Sequence, residues 1–134
     1  MAHLFAYGTL MFPQVWNLLT GGTHLHRPAL LKGFVRRRAR GEVYPVMFPG
    51  DEEVTGTVYF DLLDDEMARL DAFEGTLYLR RTVQPLCDAA EPVIAQAYLL
   101  RPEFRDRAEG PWDPEWFMRE GLRPFLRKYE GFRR

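Results

Sequence analysis

The chain has 134 residues, 46% of them hydrophobic and 28% charged, with a formal net charge of -1. That length suits a single domain over residues 1–134 with a core of its own, and the balanced charge excludes the basic excess of a nucleic-acid binder. Cys87 is the only cysteine, which excludes an internal disulfide and a cysteine zinc cluster and fits a reducing, cytoplasmic compartment.

In chain order, His3 to Tyr7 reads as a short buried strand closed by Gly8-Thr9-Leu10. Met1 to Tyr7 lacks the charged lead and long apolar stretch of a secretory leader, so no signal peptide is expected. No run anywhere approaches the roughly 20 apolar residues that span a membrane. Pro13 to Leu19 predicts a short helix, with proline in the first turn and Gly21-Gly22 as the stop, although Phe12 offers no capping oxygen. Ala29 to Arg38 predicts a strand with a bulge at Gly33. Gly41 to Gly50 contains Pro45 and Pro49 and predicts an edge strand or an extended loop. Val54 to Leu62 alternates as a strand should.

Leu62 to Gly75 predicts an amphipathic helix. Leu63, Met67 and Leu70 recur at steps of four and three, and at about 100° per residue Glu74 falls within roughly 20° of Leu63. Tyr78 to Leu86 and Val93 to Leu100 predict two more strands, joined by a polar hairpin connection around Asp88 to Glu91. Asp113-Pro114-Glu115 starts a last helix, which carries Trp116 and Phe117 and is interrupted at Pro124. Arg127 to Arg134 is a mixed tail with a basic end. Strands outnumber helices, so the natural architecture is a small twisted or barrel-like sheet with helices packed outside.

Glu74 is the residue that asks for an explanation. A carboxylate on the core side of a helix is costly unless paired. Desolvation and the negative end of the helix dipole both raise its pKa from about 4.3 toward neutrality, where a carboxyl can give and take protons. Two plainer readings compete: the helix frays before Glu74, or Arg80 or Arg81 pairs with it and makes it a structural anchor. The turn at Gly8 is a second candidate, because glycine admits a close approach and successive backbone N–H groups can converge on a carboxylate.

Four segments then occur in one order: Tyr7-Gly8-Thr9-Leu10, Tyr44-Pro45-Val46 with Pro49-Gly50, Leu70-Asp71-Ala72-Phe73-Glu74-Gly75, and Tyr78-Leu79-Arg80. Together they resemble the gamma-glutamylcyclotransferase-like family, which includes gamma-glutamylamine cyclotransferases and AIG2-like proteins. The likeness runs from about residue 4 to residue 100; Trp112 to Arg134 carries no motif of it. The resemblance implies an α+β fold, a small mixed β-barrel of about five to seven strands with two or three flanking helices. It also implies a cofactor-free reaction, in which the free amine of a gamma-glutamyl group attacks its own gamma-carbonyl and releases 5-oxoproline and an amine. Glu74 then occupies the catalytic acid/base position, and Tyr7, Gly8, Thr9 and Leu10 form the substrate turn.

Other candidates are weighed on the residues themselves. Tyr78, Arg80 and Thr82 share a strand face; Tyr78 is placed on the pocket wall, and Arg80 meets the substrate carboxylate or holds a loop. His24 and His26 alternate like metal ligands but have no cysteine or carboxylate in register, so no metal is expected. Arg36-Arg37-Arg38 with Arg40 reads as a solvated strand edge, and neither nucleic acid nor membrane is an expected partner. Cys87 reads as a small buried residue. Trp116, Phe117, Phe125 and Leu126 pack the last helix onto the sheet or form a dimer contact; no residue pattern specifies an oligomeric state. The expected partner is a small gamma-glutamyl compound, its specificity lying near Tyr44 to Gly50 and in the last segment. The alternative from another class is a non-catalytic module binding an amino-acid-like ligand, and a further one is a different carboxyl-assisted lyase or hydrolase.

Overall fold

A computed structural model of the chain describes residues 1–88 and 91–129. Seven strands form one sheet: β1 (Ala2–Ala6), β2 (His26–Arg38), β3 (Pro45–Leu62), β4 (Tyr78–Val83), β5 (Leu86–Cys87), β6 (Glu91–Pro92) and β7 (Ala95–Leu100). Their order is β4-β7-β1-β3-β2-β5-β6. The sheet is mixed, because β1 runs parallel to β7 while the other pairs are antiparallel.

The β2–β3 hairpin is the spine. It pairs His26 with Tyr59 at one end and Arg38 with Pro45 at the other. Between the Lys32–Glu53 and Phe34–Pro49 pairs the ladder slips, so that Gly33, at φ 86°, stands opposite Gly50, Asp51 and Glu52. A bulge needs such a residue. The proline-containing segment is not a separate edge element or loop: it continues into Val54–Leu62 as one strand. The prolines are tolerated because β1 pairs with β3 only from Thr57 to Leu62. Beyond that point β3 has β2 alone as a partner, and a missing N–H can face the open side.

The curl of the sheet follows from a short link. β4 ends at Val83 and β5 begins at Leu86, yet β7, β1, β3 and β2 lie between them in the sheet. The Gln84-Pro85 link reaches about 10 Å at most, so the flanks must be drawn together into a half-barrel. Pro85 is fully buried there, and its carbonyl accepts the Val93 N–H at 2.9 Å. The single strand expected from Tyr78 to Leu86 is therefore broken at Gln84-Pro85. The connection after it holds the small β5–β6 hairpin, of which Ala89 and Ala90 lie outside the described residues.

Both sheet faces are buried. Phe5, Leu31, Met47, Val54, Val58 and Ala97 form an all-strand cluster, while Leu4, Ala6, Tyr59 and Leu62 belong to a second cluster with the helices. Alternation along β1 sends Phe5 one way and Leu4 and Ala6 the other. Helix α1 (Pro13–Thr20) starts on its proline, ends at Gly21 with φ 65°, and buries Val15, Trp16 and Leu19. Helix α2 (Asp64–Glu74) has three acids in its first turn, where the dipole favours them. Met67 and Leu70 are buried as expected, but Leu63 is 52% exposed, because it precedes the helix in extended conformation and escapes the helical phase.

The last helix is capped by Asp113, whose carboxylate accepts the Glu115 N–H at 3.0 Å. It runs from α3 (Pro114–Trp116) through a π turn at Phe117–Gly121 into α4 (Leu122–Tyr129). Pro124 does not interrupt it. The wider turn just upstream relieves the clash between a proline ring and the carbonyl four residues back. Phe117 and Phe125 are core residues; of the tail expected from Arg127, the first three residues belong to α4 and the rest lies outside the described residues. No helix among the described residues is long and apolar enough to cross a membrane.

Candidate functional site

A cavity of about 70 Å³ opens where the end of β1, the C-terminus of α2, the start of β4 and α4 meet. A single water needs roughly 10–15 Å³ on the same measure, so the space admits a small chemical group. Its lining includes Glu74, the whole Tyr7-Gly8-Thr9-Leu10 turn, and Tyr78. The sequence-derived candidates therefore converge, with one exception. Arg80 is not on the cavity wall; it is exposed, and its Nε meets Asp71 Oδ1 at 3.2 Å. Arg81 donates to the Arg80 carbonyl. Arg80 is therefore paired with Asp71 and not with Glu74.

Glu74 closes α2, and Gly75 turns the chain away at φ 70°, its N–H bonded to the Asp71 carbonyl. The side chain keeps intermediate exposure because it opens onto the cavity. Protein packed around the carboxyl nevertheless makes ionisation costly. Burial first, and the Asp71 charge second, push its pKa up to about 8. Burial is the cause the helical phase predicts; the contribution of Asp71, one turn earlier, is not. Asp71 is itself held by the Tyr98 hydroxyl, which donates to Oδ1 at 2.7 Å.

The turn after β1 is built to present backbone. A Cβ on Gly8 would lie 2.5 Å from Pro45 Cγ and 2.8 Å from Cδ, so only glycine fits against that ring. The chain then enters a 3-10 turn at Thr9–Met11. Among the described residues, the N–H groups of Gly8, Thr9 and Leu10 donate to no protein acceptor, whereas the next two bond back to Gly8 and Thr9. The carbonyl side is anchored from behind. Arg36 Nη1 donates to Tyr7 O at 2.8 Å, and the Tyr59 hydroxyl donates to Leu10 O at 2.8 Å.

That role for Arg36 corrects the reading of the basic run as a solvated edge. Arg36 also bonds Thr55 O, Arg37 forms a bidentate pair with Glu52 at 3.1 and 2.6 Å, Arg38 lies 4.4 Å from the Trp116 ring centroid, and Arg40 pairs with Glu109. Their directions depend on which strand each one meets, which local sequence does not encode. His24 likewise has a structural environment. Trp16 Nε1 donates to its Nδ1 at 3.3 Å, leaving Nε2 to donate to Glu66.

Five tyrosines surround Glu74 closely enough for its charge to raise their hydroxyl pKa values: Tyr7, Tyr44, Tyr78, Tyr98 and Tyr129. In each, burial is the larger cause, and Tyr44 is pushed up to about 12. The Tyr7 hydroxyl donates to Tyr98 O, and the Tyr78 hydroxyl donates to Pro45 O at 2.8 Å. Phe125 and Tyr129 on the cavity wall were missed as site residues. Their spacing of four was a usable signal, since it puts both on one helical face. Among the described residues no group of three or more His, Cys, Asp or Glu is arranged to hold a metal ion.

A family profile described as gamma-glutamyl cyclotransferase, AIG2-like, matches residues 4–116. The chain is 38% identical over 116 residues to AIG2-like protein C of Arabidopsis thaliana, covering 84% of this chain and 67% of that protein. It is also similar to the solution structure of an Arabidopsis thaliana protein, at 30% identity and a TM-score of 0.75, with 96% of this chain and 87% of that one covered. A solved gamma-glutamyl cyclotransferase has a TM-score of 0.71 over 98% of this chain and 85% of its own, at 18% identity, a likeness of fold alone.

Proposed function

The chain belongs to the gamma-glutamyl cyclotransferase, AIG2-like family, and from that membership we propose that it converts gamma-glutamyl amides into 5-oxoproline and a free amine, with Glu74 moving the proton. The observation that carries this reading is a carboxyl with a pKa of about 8 on the same small cavity as the open amides of Gly8, Thr9 and Leu10.

The reaction needs those parts. The substrate's alpha-amine is an ammonium at neutral pH, and ionised Glu74 takes one of its protons. The freed nitrogen lone pair attacks the gamma-carbon, forming a five-membered ring and an oxyanion. Backbone N–H groups of the turn stabilise that charge or hold the alpha-carboxylate. Glu74 gives its proton to the leaving nitrogen as the old carbon–nitrogen bond breaks, and the carboxylate so formed takes the surplus proton from the ring nitrogen and passes it to the released amine, which departs as an ammonium. No water is consumed. Because nucleophile and electrophile are already tethered, holding the chain folded supplies much of the acceleration. A carboxyl titrating near neutrality can act in both directions. In this reading Tyr78 shapes the wall, Arg80 acts only through Asp71, and the protein works in the cytoplasm.

The test is Glu74→Gln, assayed by mass spectrometric detection of 5-oxoproline from a panel of gamma-glutamyl amides. Turnover should fall by about 10²–10⁴-fold, while the far-UV spectrum and ligand affinity persist. The AIG2-like relatives bear names that state no reaction, which leaves a second reading, a binding module. A wild-type protein that consumes none of the panel but is stabilised against heat by one of its members would establish that instead.

A further inference from the structure

A second cavity, of about 140 Å³, adjoins the first. Tyr44, Phe125 and Tyr129 line both. Two of these three come from α4, beyond residue 116, where the family match ends. These three residues form the wall between the two spaces. Phe125 is buried and packed against Phe117, but the hydroxyls of Tyr44 and Tyr129 donate to no acceptor among the described residues, and both rings are only half-buried.

We infer that this second cavity receives the leaving amine of the substrate, and that it selects gamma-glutamyl amides of uncharged, apolar amines with an aromatic or branched body. This rests on the cyclotransferase reading above. The Glu74 cavity, at about 70 Å³, is small beside a gamma-glutamyl amide, and the second cavity is the protein-lined space next to it for the group on the amide nitrogen. Beyond the wall it meets Tyr44, Phe125 and Tyr129 again, then Val43 and Pro124. The charged groups there, Lys128 and Glu42, pair with each other at 3.5 Å. Their charges cancel toward an occupant. An anionic substituent would meet Glu42 and a cationic one Lys128, and either would have to break the pair. An aromatic or branched hydrocarbon leaves that pair intact and packs on Val43, Pro124 and the three aromatic rings, and such pockets discriminate by shape and by buried area.

The experiment measures kcat/KM for 5-oxoproline release from three compounds: gamma-glutamyl-phenethylamide, gamma-glutamyl-ethylamide and gamma-glutamyl-beta-alanine. The expected wild-type order puts the phenethylamide about tenfold above each of the others. Two variants act on the second space alone or on the wall. Val43→Phe fills the cavity and should remove the phenethylamide preference, and Tyr129→Ala should collapse it to within about threefold. Equal rates for the three compounds, or a preference untouched by both variants, would overturn the inference. The same three compounds are titrated calorimetrically into the Glu74→Gln protein. If wild type releases no 5-oxoproline at all, the reaction assigned to Glu74 is wrong, yet tighter phenethylamide binding abolished by Val43→Phe still upholds the subsite. Equal or absent binding sinks it.

Discussion

Glu74 holds its proton at neutral pH, and this has a cost measurable without any substrate. Its folded pKa, about 8, lies above the usual 4.5. Between those values the native state binds more protons than the unfolded one, so its contribution is complete below about pH 4.5 and is lost as pH rises through 8. Glu74→Gln should therefore be indistinguishable from wild type in urea melts near pH 4 and more stable by on the order of 2 kcal/mol at pH 9, a figure reduced for the water that reaches the carboxyl through the cavity. The same shift governs catalysis. If ionised Glu74 is the base, kcat/KM rises with pH and levels above about 8. Asp71→Asn removes a charge that opposes ionisation, so the rise should move to lower pH, while Tyr98 and Arg80 still find an oxygen to bond. An unmoved profile would mean that another group sets the limb.

At the level of elements, the turn after β1 is fixed by contacts on its back and left open on its front. Gly8→Ala tests this, because the new Cβ would collide with the Pro45 ring, whose atoms cannot rotate away. Displacing Pro45 also disturbs the acceptor of the Tyr78 hydroxyl. A loss of about 2 kcal/mol in stability is expected, with a larger fractional loss of activity because the open amides lose their aim. How much of this was readable depended on whether the signal was local. Pro13 and Gly21 frame α1, Gly33 marks the bulge, and the 3.6 period leads to Glu74; each belongs to a single segment. The continuity of β3 through its prolines was not readable, because it depends on where β1 stops. Arg36 was misjudged, and Arg80 left open between two roles, for the same reason. A strand sequence tells which face an arginine shares, not which neighbour waits there.

At the level of the whole molecule, the half-barrel was legible as a class, and the convergence of the turn with Glu74 was legible through the family resemblance. The contribution of the last helix was not, since its aromatic residues read equally well as packing. They do both. Phe125 is 3% exposed and also lines the cavity. Phe125→Ala should cost about 3 kcal/mol, and by admitting water beside Glu74 it should shift the pH–activity rise downward. A destabilised variant with an unchanged profile would make the helix a mere prop.

One consequence follows from the order in which the chain is made. Synthesis delivers Glu74 and the glycine turn early and α4 late. Until the final helix settles, the carboxyl lacks the Phe125 and Tyr129 side of its cavity, and water holds it closer to its ordinary acidity. Docking of that helix then draws a hydrogen ion from the medium. By the reciprocity of linked equilibria, alkaline solution must weaken the packing of α4 as surely as that packing neutralises the acid.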